Sequence, residues 1–237
     1  MSHWIETELK FLLPDEDAFR RVQAALGPAR ATQQVNHFLD CEDGALRRAR
    51  IGVRLRSEGG NRLLTVKSDA LDTSHDALSQ RIELERSLSS ETFEAALTQG
   101  LDLLPWLEHF EAEMATEGPT PPALRPFLAR LMALCRDQKL RRRAGFTNFR
   151  QAARATLCDE RGAFDVELLL DETRLPGDRI DYELEVELGA ADEPPARVER
   201  ALRAWLRDQG VTRIVPASSK FGRLQEQLAQ LDAPASR

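Results

Sequence analysis

Cysteine is scarce in this chain, histidine is scarce, and neither falls into a metal-binding pattern. The three cysteines, Cys41, Cys135 and Cys158, are widely spaced and form no C-x-x-C pair. That argues against a disulfide framework and against a zinc site, and a reducing cytoplasm is the natural compartment. His3, His37, His75 and His109 show no ligand spacing and read as surface or structural residues. Positive charge is not in excess either: 33 Lys and Arg stand against 39 Asp and Glu, a net charge of −6. A nucleic-acid binder held by bulk charge is thereby excluded, and any anion must be held by a local cluster of Lys and Arg. The first residues carry charge and no apolar run, so no secretory signal is expected. No run approaches the length of a membrane span. No nucleic-acid or membrane partner is therefore expected, and the chain is expected to be a monomer or homodimer.

What the sequence does hold is apolar material for a core, 42% of residues, with 30% charged. The two are arranged in alternation. In Ile5-Glu6-Thr7-Glu8-Leu9-Lys10-Phe11, a strand puts Glu6, Glu8 and Lys10 on one face and Ile5, Leu9 and Phe11 on the other. Two neighbouring carboxylates followed by a lysine suit a divalent cation and a phosphate; they equally suit a solvated strand face. Pro14 and the acidic residues after it open a helix that ends at Gly27-Pro28, and a second strand covers residues 32–40. Ile51–Arg56 and Leu63–Lys67 alternate around Gly59-Gly60, a hairpin signal that sets Arg54 opposite Thr65 and Arg56 opposite Leu63. Arg54, Arg56, Thr65 and Lys67 then share a face. Residues 80–85 alternate again, with Arg81, Glu83 and Glu85 on the polar side.

From Ser90 to Phe110 the period becomes helical, with interruptions at Gly100 and Pro105. A loop is expected over 117–126 and a helix over 124–135. This stretch, about 88–143, is expected as a helical insertion in a single domain spanning 1–231, with a disordered tail at 232–237. The Arg141-Arg142-Arg143 triplet is too short for a nucleic-acid footprint and reads as a solvated face. Residues 147–158 and 163–171 form another hairpin, turning through Asp159-Glu160-Arg161-Gly162. That turn sets Arg150 opposite Asp171 and Arg154 opposite Glu167, so opposite charges meet at two levels. Ile180–Leu188 places Glu183, Glu185 and Glu187 on one face. A helix from Pro195 to Gln209, and another after Ser219-Lys220 that ends near Leu231, complete the chain.

About eight strands with helices to cover their apolar faces make an α+β protein. An open sheet with one wet face fits, and so does a closed tunnel with a charged interior. Periodicity does not separate the two. The grouping of Glu on the first and last strands and of Arg and Lys on the third and fourth favours the tunnel.

Glu6-x-Glu8-x-Lys10, Arg54-x-Arg56, Thr65-x-Lys67, Arg81-x-Glu83-x-Glu85, Glu183-x-Glu185 and Ser219-Lys220, in this order, resemble the CYTH superfamily, the triphosphate tunnel metalloenzymes. The resemblance spans nearly the whole chain. It implies an eight-stranded antiparallel closed barrel, a tunnel that binds a triphosphate with a divalent metal, Mg²⁺ or Mn²⁺. The activities implied are inorganic, thiamine or RNA triphosphatase, or a class IV type adenylyl cyclase; a non-catalytic triphosphate or polyphosphate binder is a further alternative. The segment 90–143 is longer than the family pattern, the arginines of the sixth strand are displaced from it, and no appended helical phosphate-binding domain is expected. On this reading Glu6, Glu8, Glu183 and Glu185 are catalytic and hold the metal with Glu85 and Asp171. Lys10, Arg54, Arg56, Lys67, Arg150, Arg154 and Lys220 bind the substrate, Arg being suited to bidentate phosphate contacts. The expected reaction is hydrolysis, with a divalent metal activating water for attack on the terminal phosphorus.

Overall fold

A computed structural model describes residues 5–71, 76–114, 120–189 and 193–232. His3, His75, part of the expected 117–126 loop and residues 233–237 of the expected tail lie outside them. The strands are β1 (Ile5–Leu12), β2 (Arg30–Asp40), β3 (Gly52–Glu58), β4 (Asn61–Lys67), β5 (Leu78–Ser87), β6 (Arg141–Asp159), β7 (Gly162–Arg174), β8 (Ile180–Glu187) and the two-residue β9 (Val215–Pro216). Their order is β5-β4-β3-β2-β6-β7-β8-β1-β9, and a further pairing of β5 with β1 closes the sheet. The result is the expected closed eight-stranded antiparallel barrel with helices outside, and β9 is a short addition along Phe11 and Leu12.

The alternation registers hold. Arg54 pairs with Thr65 and Arg56 with Leu63; Arg150 pairs with Asp171 and Arg154 with Glu167. The β6–β7 turn is tighter than the sequence suggests, since Asp159 and Gly162 already pair and only Glu160 and Arg161 cross over.

The helices are α1 (Glu16–Leu26), α2 (Ala45–Arg48), α3 (Ser90–Gln99), α4 (Leu104–Met114), α5 (Leu124–Cys135), α6 (Pro195–Asp208) and α7 (Lys220–Asp232). Asp15 caps α1, its carboxylate accepting from the Ala18 N–H at 2.8 Å. The helical stretch from Ser90 is two helices, not one: Leu101 pairs with Leu140 as an isolated bridge between them. Pro126 sits inside the first turn of α5, where a missing N–H costs little, so the helix starts before the expected loop ends.

The chain divides into two compact units, and β1, β2, β5 and β6 contribute residues to both. The first contains β3, β4 and α2 to α5. Its core joins Val53, Leu55, Leu64, Val66, Ile82 and Leu84 of the strands to Phe93, Leu107, Phe110, Leu128 and Leu131 of the helices. The residues of the expected insertion therefore pack into this core and form none of their own. The second unit contains α1, β7, β8, α6 and α7, with Leu9, Phe11, Phe19, Leu168, Leu170, Leu184, Val186, Leu202 and Leu206 at its centre. In both, burying the apolar residues of each strand turns the intervening charged residues to the opposite face.

Candidate active site

In the first unit the charged faces of β1, β3, β4 and β5 meet. Glu6 accepts from Lys67 Nζ at 2.8 and 2.9 Å and from Arg81 Nε at 2.7 Å. Lys67 also pairs with Glu83 at 3.0 Å. Burial lowers the Lys67 ammonium pKa, with the neighbouring Arg81 adding to the effect. Burial likewise raises the Glu83 carboxyl, against the pull of Lys67. Arg56 donates through Nε to the Asn36 side-chain oxygen at 3.0 Å and lies 3.6 Å from Glu58. Glu85 is exposed and accepts from Thr65 Oγ1 at 3.1 Å.

Arg54 differs from its neighbours. It is buried, its Nη2 donates to Thr65 Oγ1 at 3.2 Å, and its buried Nε has no hydrogen-bond partner among the described residues. Among the described residues it forms no ion pair. Burial, with Arg56 adding like charge, brings its pKa down to about 9. A desolvated guanidinium without a carboxylate is costly unless an anion joins it.

The second unit gathers a denser set. The Lys220 ammonium, from the first residue of α7, lies 2.8 Å from Asp171, 3.0 Å from Glu183 and 2.7 Å from Glu185. Arg150 grips Asp171 with two parallel bonds, at 2.9 and 2.6 Å, and also pairs with Glu185. Lys10 lies 2.6 Å from Glu8 and 3.7 Å from Glu185. Arg223, one turn along α7 from Lys220, is fully buried and pairs with Glu183 and, at 2.7 Å, with Asp181. Neutral groups complete the shell: Asn148 donates to Asp171 at 2.9 Å and to Gln34 at 3.0 Å, and Thr173 donates to Asn148 at 2.8 Å.

These environments push the acids apart. Burial drives the Glu183 carboxyl up to about 7, against Lys220. Burial also opposes ionisation of Asp171 and Glu185, but the cations win. Arg150 and Lys220 hold Asp171 down at about 2, and Lys220, Arg150 and Lys10 hold Glu185 well below the carboxylate range. The same carboxylates raise the Lys220 pKa.

Of the residues expected from the sequence, Glu6, Arg54, Arg56, Lys67 and Glu85 belong to the first cluster. Glu8, Lys10, Arg150, Asp171, Glu183, Glu185 and Lys220 belong to the second. Arg154 keeps its register opposite Glu167, but both are exposed, and Arg154 stays outside the ion-paired cluster. Arg223, Asn36, Asn148 and Thr173 were not expected. Only Arg223 carried a signal, since three residues after Lys220 on a helix is the same face.

The fit to a divalent ion rests on donor chemistry. Among the described residues, no group of three or more His, Cys, Asp or Glu side chains is set to hold a metal ion. Yet oxygens of Asp171, Glu183 and Glu185 converge on one cationic nitrogen, and hard carboxylate donors of this kind suit Mg²⁺ or Mn²⁺.

A closed antiparallel barrel whose strands bury paired rows of acids and bases defines the class. The chain belongs to the CYTH domain family, whose model matches residues 4–211. Among solved structures it is similar to HpAC1 of Hippeastrum, described as an adenylyl cyclase candidate with a dominant triphosphatase activity. The TM-score is 0.69 at 22% identity, covering 94% of this chain and 96% of that one. It is also similar to a Bacillus halodurans adenylate cyclase candidate, with a TM-score of 0.56 at 19% identity over 92% and 97% of the two chains. The PH1819 protein of Pyrococcus horikoshii gives 0.52 at 20% identity over 95% and 99%. At these identities the likeness is one of fold. No curated protein matches the chain.

Proposed function

We propose that this protein hydrolyses a triphosphate, inorganic tripolyphosphate or a nucleoside or thiamine triphosphate, at its terminal phosphoanhydride with Mg²⁺ or Mn²⁺. The observation that carries the reading is Arg54, a buried guanidinium with an unsatisfied Nε and, among the described residues, no carboxylate partner. An oxyanion is the ligand it lacks. Arg54, Arg56 and Lys67 bind phosphoryl oxygens, and Lys10, Arg150 and Lys220 do the same with their own carboxylates beside them. An anion holder gains nothing from buried acids unless a metal joins them, so Glu8, Asp171, Glu183 and Glu185 are assigned to the metal. When bound, a divalent ion supplies Lewis-acid polarisation and an activated water. Asp171 and Glu185, held ionised, keep a full negative charge for that ion. Glu183, with its raised pKa, is the group able to hold a proton near neutral pH. Arg150 fixes the orientation of Asp171 through its two parallel bonds.

The test is a product screen over tripolyphosphate, ATP, GTP and thiamine triphosphate, with and without each metal. Metal-dependent release of phosphate supports hydrolysis. Release of pyrophosphate from ATP alone replaces it with cyclisation, and release of neither overturns it.

A further inference from the structure

We infer that Asn36 is a substrate-binding residue, its amide donating to a phosphoryl oxygen beside Arg54 and Arg56. The inference rests on the triphosphate reading above and adds to it a neutral ligand outside the charged rows. Asn36 lies on β2 and is fully buried. Its Oδ1 accepts from Arg56 Nε at 3.0 Å. Because Arg56 Nε can only donate, the amide orientation is fixed: the oxygen faces Arg56 and the NH₂ faces elsewhere. Among the described residues that NH₂ has no hydrogen-bond partner. Buried amide donors in folded proteins are nearly always satisfied. Arg54 Nε is another orphan donor in the same unit, as are Arg62 Nε and Arg86 Nε, but Arg54 alone of these shares a face of β3 with Arg56. Asn36, bonded to Arg56, carries one unsatisfied donor, and Arg54, on the same face of β3 as Arg56, carries another; a ligand rich in acceptors satisfies both. A fully ionised phosphoryl group presents acceptors alone.

The backbone beneath Asn36 is also fixed. A Cβ on Gly145 of β6 would fall 2.4 Å from the Asn36 carbonyl oxygen, so glycine there permits a close approach of the two backbones. The amide is thus set on a supported strand, which suits a group whose task is direction and not charge.

The experiment is calorimetric titration of tripolyphosphate into the wild type, Asn36→Ala, Arg56→Lys and the double variant. Arg56→Lys keeps the cation but removes the Nε donor that Asn36 accepts. If Asn36 binds substrate itself, Asn36→Ala weakens affinity about tenfold in both backgrounds. If Asn36 only props Arg56, its effect vanishes in the Arg56→Lys background, and the inference is overturned while the triphosphate reading stands. Absence of binding by the wild type overturns both. Melting temperatures without ligand identify any variant that fails to fold. Asn36→Ser then takes the place of Asn36→Ala, and it weakens affinity in both backgrounds if the inference holds and has no effect in the Arg56→Lys background if it does not.

Discussion

Replacing Lys220 with methionine removes one cation from among three buried carboxylates. Lys220 Nζ lies within 3.0 Å of Asp171, Glu183 and Glu185, and the acid side chains are 0 to 5% exposed. Arg150 and Arg223 still neutralise part of the charge, so one cation's worth of repulsion and desolvation is uncovered. Removing one partner of a buried ion pair typically costs about 3–5 kcal/mol. For a domain of this size that is roughly a 10 °C fall in melting temperature. The distinctive expectation concerns rescue. If the three acids suit a divalent ion, Mg²⁺ or Mn²⁺ at about a hundred times its dissociation constant returns about 2.7 kcal/mol. The assay is thermal melting of wild type and Lys220→Met in chelator and across a metal series. The variant should fall in chelator and recover with metal, by more than the wild type gains. An equal metal shift in both proteins, or no loss in chelator, refutes the convergence argument.

Two other perturbations follow from the same charges. Arg54→Met should raise the melting temperature of the ligand-free protein, because a desolvated cation is exchanged for an apolar side chain of similar length; calorimetry should show tripolyphosphate affinity falling about tenfold or more. Acid titration should reveal opposed contributions. Asp171, lowered from its ordinary 3.8 to about 2, gives stability that is present above pH 4 and lost toward pH 2, about 2 kcal/mol. Glu183, raised from 4.5 to about 7, gives stability that is present below its unfolded value and lost as pH rises through 7. Denaturant melts of Glu183→Gln should therefore keep the acid loss and flatten the decline toward neutral pH; an unchanged profile contradicts the assignment.

The strand registers were legible because a period of two leaves only one pairing that keeps both the apolar face and the charges matched. The Arg54–Thr65 and Arg150–Asp171 pairs came from turn position and charge alone. Arg154 shows the limit: its register is correct, yet alternation fixes a face and not a depth, and that end of the β6–β7 hairpin is exposed. The four-residue α2 and two-residue β9 are too short to carry a period. α2 is held instead by Asp40, which accepts from the Cys41, Leu46 and Arg47 N–H groups. Neutral site residues were hidden for a different reason. Asn36 and Asn148 look like any polar residue on an alternating strand, and only the buried hydrogen-bond pattern separates a satisfied amide from an unsatisfied one.

Turnover of a bound triphosphate is tested by measuring phosphate release from tripolyphosphate beside calorimetric binding, for the wild type and Glu8→Gln. Glu8 is 2% exposed and pairs with Lys10, so the isosteric amide removes a proposed metal ligand while every cation remains. Metal-dependent release is expected from the wild type, and from Glu8→Gln a loss of release with tripolyphosphate affinity retained or raised. A wild type that binds tripolyphosphate yet releases neither phosphate nor pyrophosphate with any metal contradicts it.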